Sequence, residues 1–137
     1  MTAETKQSIK VLGHEAANLA SLDKHFVIDA AGKSLGRVAS EAAKALMGKT
    51  SADYTPNVLS EVSVVITNAS KLYMRDLKKT QKSYQTYSGY PSGQRKESYS
   101  ALSTRRGAGE PLRRAIQRML PRNTFRTARM KKLSIKD

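Results

Sequence analysis

The sequence contains no cysteine, which excludes disulfides and thiolate metal sites and fits a reducing, cytoplasmic setting. No apolar run approaches the roughly 20 residues that cross a bilayer, so a membrane-spanning role is excluded as well. Residues 1–24 lack the apolar core of a secretory signal. They hold Glu4, Glu15 and Asp23 but no Arg, unlike a transit peptide, and are read as a leader before a single domain at 25–137. Acids are scarce in one half only. Residues 1–70 carry 7 Lys+Arg against 7 Asp+Glu, whereas residues 71–137 carry 18 against 4, so the second half accounts for the whole formal charge of +14. Such an excess calls for nucleic acid, an anionic membrane surface or an acidic protein. Nucleic acid is favoured, because clustered Lys and Arg gain most by releasing counterions from phosphates.

What is present in the first half is an alternation of apolar segments. His25-Phe26-Val27-Ile28-Asp29 reads as a buried strand ending in a turn. Ser34 is placed to cap a helix running to about Met47, with Gly48 as its stop. On a wheel Leu35, Val38, Ala39, Ala42, Ala43 and Leu46 share one face, opposite Arg37, Ser40, Glu41 and Lys44. Val62–Thr67 is β-branched and short, a second buried strand. Strand, helix and strand at this spacing form a βαβ unit with parallel pairing, so an α/β fold is expected. A short leader helix around Ala16, Ala17, Leu19 and Ala20 is also expected.

The second half is built differently. Residues 78–99 hold almost no aliphatic side chain and cannot form a core, so they should extend as a long loop or hairpin. Near Glu110-Pro111 a helix begins that Pro121 ends, with Leu112, Ala115, Ile116, Met119 and Leu120 inward and Arg113, Arg114, Gln117 and Arg118 outward. No acid is expected on that outer face. Residues 122–137 read as a basic tail with scattered apolar residues.

Catalytic and metal motifs do not assemble. Gly32-Lys33-Ser34 and Gly48-Lys49-Thr50 lack the earlier glycine of a phosphate-cradling loop, which would fall on Val27 and Ala43. His14 and His25 have no metal-ligand spacing, and Asp29 and Asp53 read as turn caps without a partner base. Asn68-Ala69-Ser70 matches a glycosylation acceptor that a cytoplasmic chain would never present to that machinery. Arg37 either pairs with Glu41 one turn on or meets a phosphate. Tyr84, Tyr87 and Tyr90 either pack locally or stack on unpaired bases, at about 1–3 kcal/mol each.

In order along the chain stand V-I-D-A-A-G-K-S-L-G-R-V-A-S at 27–40, L-M-G-K at 46–49, Y-T-P at 54–56, V-V-I-T-N-A-S-K-L at 64–72, S-G-Y-P-S-G at 88–93 and A-I-Q-R-M-L-P-R-N at 115–123. From His25 onward this resembles the bacterial large-subunit ribosomal protein thirteen (L-thirteen) family. The family's Leu-Gly-Arg falls on Leu35, Gly36 and Arg37, its Gly-Lys on Gly48 and Lys49, and its Met-Leu-Pro-basic run on Met119 to Arg122. The chain departs from the pattern at His25 or Phe26, where the family usually has Trp, and at Asp76, where a glycine is usual.

The resemblance implies a three-layer α/β/α fold with a four-stranded parallel sheet, binding to large-subunit rRNA beside neighbouring ribosomal proteins, support of subunit assembly, and no enzymatic activity. No cofactor, metal, membrane or small-molecule substrate is expected. The expected RNA contacts are Arg37, Lys49 and Lys71; then Lys78, Lys79, Lys82, Tyr84, Tyr87, Tyr90, Arg95 and Lys96 of the loop. Arg105, Arg106, Arg113, Arg114 and Arg118 follow, and then Arg122, Arg126, Arg129, Lys131 and Lys132 of the tail. A free-standing RNA-binding regulator is the alternative, and an enzyme on a nucleotide-binding fold is disfavoured by the missing glycine loop.

Overall fold

The computed structural model describes residues 25–52 and 54–137; the expected leader helix, His14 and Asp53 fall outside them. His25–Asp29 forms β1, Leu35–Leu46 forms α1 and Ser63–Thr67 forms β2. A 3-10 turn at Ala69–Lys71 leads to α2 (Asp76–Gln81), β3 (Ser83–Tyr87), β4 (Gln94–Ser98), α3 (Tyr99–Arg106), α4 (Gly109–Met119), α5 (Phe125–Lys131) and β5 (Leu133–Ile135). The fold is mixed α/β. No described helix is long and apolar enough to cross a membrane.

The first half follows its pattern. β1 and β2 pair parallel, with Phe26 opposite Val64 and Ile28 opposite Ile66. Ser34 supplies the extended backbone that opens α1, although its hydroxyl makes no capping bond. Gly48 stands at φ 79°, the left-handed conformation that ends helices and suits glycine. The whole predicted inner face of α1, Leu35 to Leu46, is buried. Asp29 caps its turn as expected: its Oδ1 accepts from the Ala31 N–H at 3.1 Å and from the Asn68 side-chain amide at 2.9 Å. Those bonds, the Asn68 one first, hold its carboxyl below the ordinary value. Asn68 is therefore committed to this turn, in the left-handed region at φ 58°.

The second half departs from expectation in the tail. Residues 122–137 contain α5 and β5, and β5 is the third strand of the central sheet, in the order β1-β2-β5. It pairs parallel to β2, Val64 opposite Leu133 and Ile66 opposite Ile135. The apolar residues that seemed scattered in a basic segment are thus placed for the core, with Met130, Leu133 and Ile135 packed against it. The neutral and basic halves share that one core: Ile28, Val38, Leu46, Val64 and Ile66 cluster with Leu112, Ile116 and Leu120. At the joint, a Cβ on Gly109 would come 2.8 Å from Ile135 Cγ2, so the start of α4 lies directly on β5.

The parallel sheet has three strands among the described residues, not four. In place of a fourth stands an isolated parallel bridge from Ser34 to Tyr73, held by the Tyr73 N–H on the Lys33 carbonyl at 3.0 Å. Leu72–Met74 is confined between the 3-10 turn and α2, which leaves no length for a ladder. Alternate strand positions (Val27, Val65 and Ser134) face away from the clustered core residues, and Val27 is 65% exposed.

Residues 78–99 form the end of α2 and an antiparallel β3–β4 hairpin, the hairpin form of the expected extension. Its tip turns at Tyr90-Pro91-Ser92-Gly93, with the Gly93 N–H on the Tyr90 carbonyl at 2.9 Å. Gly93 admits no side chain there, because a Cβ would meet the Ser88 hydroxyl and the Tyr90 carbonyl. α3 carries no strong apolar stripe; its start is fixed by the Ser98 hydroxyl accepting from the Ala101 N–H at 3.2 Å.

Candidate nucleic-acid interface

Opposite residues of the hairpin share a face. Tyr84 with Glu97 and Thr86 with Arg95 lie on one side, Gln85 with Lys96 and Tyr87 with Gln94 on the other. The first face turns inward at Tyr84, which is only 4% exposed. Over its ring stand the Arg114 guanidinium at 5.0 Å, the Lys82 ammonium at 5.4 Å and the Arg118 guanidinium at 6.0 Å. Arg114 and Arg118 are one turn apart on α4, so that helix presents both to the same ring. The ring faces attract the cations and pin the hairpin base to α4.

The electrostatics of this junction are those of crowded like charge. Burial lowers the pKa of the Lys82 ammonium, and the charges of Lys78 and Arg118 lower it further. Burial raises the Tyr84 hydroxyl, with Tyr99 adding to the rise and Arg114 and Arg118 opposing it. An anion brought to Lys78, Lys82 and Arg118 relieves their repulsion, which is the chemistry a phosphate supplies.

Part of the positive charge is neutralised internally. The Arg105 guanidinium donates to both carboxylate oxygens of Glu97 at 2.8 and 2.9 Å, holding that carboxyl below its ordinary value. Glu110 Oε1 accepts from Arg106 at 3.4 Å and from Arg114 at 3.2 Å. The outer side of α4 therefore does have an acid, one turn before Arg114. Lys79 pairs with Asp76 at 3.1 Å. Glu41, one of the two alternatives open to Arg37, pairs with Lys33 at 3.6 Å. On the far side of α4, Arg113 and Gln117 line a depression with Arg126, Thr127, Met130 and Lys131 of α5. Among the described residues no group of three metal-ligating side chains gathers.

A sequence profile of the family described as Ribosomal protein L13 matches residues 23–136. The large ribosomal subunit protein uL13 of Treponema pallidum is 44% identical over 109 residues, covering 80% of this chain and 76% of the relative. That of Rubrobacter xylanophilus is 41% identical over 112 residues, covering 82% and 78%. That of Nitrosospira multiformis is 42% identical over 110 residues, covering 80% and 76%. The chain belongs to the ribosomal protein L13 family.

In this L13-family chain the expected contact residues fall into separate groups. Tyr84 and Arg129 leave the surface altogether. Tyr84 is buried under its three cations, and Arg129 is only 2% exposed beside the Phe125 ring, its Nε without a hydrogen-bond partner among the described residues. Lys132 is half-buried and its ammonium donates to the Ser60 carbonyl at 3.1 Å, a tie between the α5–β5 junction and the segment before β2. Tyr87 and Tyr90 remain open at the hairpin tip, 68% and 75% exposed, near the exposed Arg95 and Lys96. Lys78 and Lys79 are exposed on α2, and Arg122 lies exposed beyond α4. Arg37 and Lys71 stand exposed on α1 and the 3-10 turn, and Lys49 lies over the Tyr54 ring at 5.7 Å. Met119, expected inward, is 42% exposed and accepts from the Ser40 hydroxyl at 3.4 Å, because it sits at the rim where α4 ends. Sequence reasoning passed over Arg75, which lines a shallow depression with Leu77, Lys78 and Lys82. It placed Gln117 on the outer face without counting it as a contact and passed over Thr127, since neutral side chains give no charge signal.

Proposed function

We infer that this protein is a structural constituent of the large ribosomal subunit, binding large-subunit rRNA and supporting subunit assembly and translation. The observation that carries the reading is the family match over residues 23–136. It sets the chain with ribosomal proteins and not with enzymes, and neighbouring large-subunit proteins are then its other partners. The site gives the reading a mechanism. The shared core fixes α4, α4 fixes the hairpin through Tyr84, and the hairpin carries exposed cations and two exposed tyrosines outward. Cations at phosphates set position and register, while Tyr87 and Tyr90 add stacking on unpaired bases. The three-layer arrangement of the family belongs to the same reading, with the face bearing Val27 as the side where a further layer would lie.

The test uses Lys78→Gln/Lys96→Gln/Arg118→Gln, three exposed cations on the hairpin side. Each lost phosphate contact removes about 0.9 from the slope of log affinity against log salt, so the slope on large-subunit rRNA should flatten by about 2–3. An unchanged slope at unchanged melting temperature would take the hairpin side out of the interface.

A further inference from the structure

α4 has two basic sides. Arg114 and Arg118 share one stripe and look onto Tyr84; Arg113 and Gln117 share another, displaced by about 100° around the axis. The second stripe faces α5, where Arg126, Thr127, Met130 and Lys131 close the depression. Its lining holds three cations, an amide and a hydroxyl, and no carboxylate. Among the described residues Arg113, Arg126 and Lys131 form no ion pair, unlike Lys33, Lys79, Arg105, Arg106 and Arg114. Arg129 of the same short helix is buried beside the Phe125 ring, its Nε without a hydrogen-bond partner among the described residues. Two forked guanidinium groups, an ammonium and two neutral donors match the oxygens of a phosphate.

We propose that the cleft between α4 and α5 seats a phosphodiester of the RNA backbone, separately from the hairpin, so that the protein grips RNA on both sides of α4. This rests on the RNA-binding reading above and adds a second, discrete point of attachment to it. A free phosphate ion has the same chemistry, and the experiment separates the two.

The full chain carrying Arg126→Gln/Lys131→Gln is compared with the parent and with the hairpin variant. The measurements are binding to large-subunit rRNA across salt concentrations and backbone footprinting. The seat predicts a slope flatter by about 2, so that raising salt from 50 to 200 mM weakens the variant about tenfold less than the parent. It also predicts loss of a patch of backbone protection that the hairpin variant keeps. Lys131→Gln alone, at an exposed position, should give about half the slope change and guards against misfolding of the double variant. The charge-preserving Arg126→Lys/Lys131→Arg should keep the parent slope; loss of slope there would reduce the cleft to a packing role and overturn the seat. An unchanged slope and footprint in Arg126→Gln/Lys131→Gln, with the hairpin variant flattened, would refute the seat while leaving the RNA reading intact. An unchanged slope in both variants would refute the seat and take the hairpin side out of the interface as well, whereas failure of the parent to bind large-subunit rRNA would refute the RNA reading itself. Inorganic phosphate, titrated at constant ionic strength, should compete with RNA on the parent more than on the double variant. Its binding in the cleft without any effect on RNA affinity would assign the cleft to a free ion and overturn the proposal.

Discussion

Tyr84 offers the sharpest perturbation because one ring joins the hairpin to the body. Replacing it with Ala removes a buried aromatic side chain and leaves a hole beneath three cations, at a cost of about 3–5 kcal/mol if the hairpin base cannot collapse. Tyr84→Leu restores much of the volume but not the π face. The cations lie 5.0–6.0 Å from the ring centroid. Each such contact is worth about 0.5–1 kcal/mol when partly exposed, so a loss of about 1–2 kcal/mol is expected for three cations sharing one ring. Tyr84→Phe keeps the ring and should stay within about 1 kcal/mol of the parent. Urea unfolding reads the series, with an unchanged m-value as the sign that stability alone has moved. The ordering Phe, Leu, Ala from most to least stable is required. A Tyr84→Ala protein as stable as the parent but weakened on RNA would refute the reasoning and return Tyr84 to the role of a base-stacking residue.

Three further outcomes are expected. Ile116→Ala should cost about 2–5 kcal/mol by urea unfolding, since Ile116 is fully buried in the cluster shared by both halves. Gly109→Ala should cost about 1–3 kcal/mol, because its methyl group would meet Ile135 Cγ2 at 2.8 Å and push on the edge strand; hydrogen exchange should rise first in β5. Glu97 has its carboxyl pKa lowered in the folded chain, chiefly by the Arg105 hydrogen bonds. Its contribution is therefore full above the unfolded carboxylate pKa and lost as pH falls through the lower folded value, and Glu97→Gln should flatten the acid limb of melting temperature against pH.

How far the sequence could be read depended on how long each pattern ran. α1 spans twelve residues with an unbroken small-and-apolar stripe, and Ser34 and Gly48 mark its ends, so the βαβ unit was legible residue by residue. β5 was not. Leu-Ser-Ile gives one alternation within a run of lysines and arginines, too short to stand apart from a tail, yet its place beside β2 makes it core. The charge boundary near residue 70 is accordingly no structural boundary, since Leu112, Ile116 and Leu120 from the basic half complete the core begun by the neutral half. The three loop tyrosines looked alike in sequence. Strand alternation and the position of α4 buried Tyr84 and left Tyr87 exposed, a distinction that needs the hairpin register. The three arginines of α4 were also indistinguishable by composition. Glu110 and Tyr84 engage Arg114, Tyr84 engages Arg118, and Arg113 lines the depressions beside α5 and β5. The signal for the missed α3 was Ser98, three residues before Ala101, with only Leu102 fully buried to support it.

The most direct test of the central claim is a photo-crosslinking map of this protein on large ribosomal subunits purified through a high-salt wash. The protein should remain on the subunits and carry rRNA adducts on the hairpin, at Tyr87, Tyr90 and Lys96, and along the α4–α5 side, with none at Val27. Release from the subunits in the wash, or adducts confined to the Val27 face, would contradict the account.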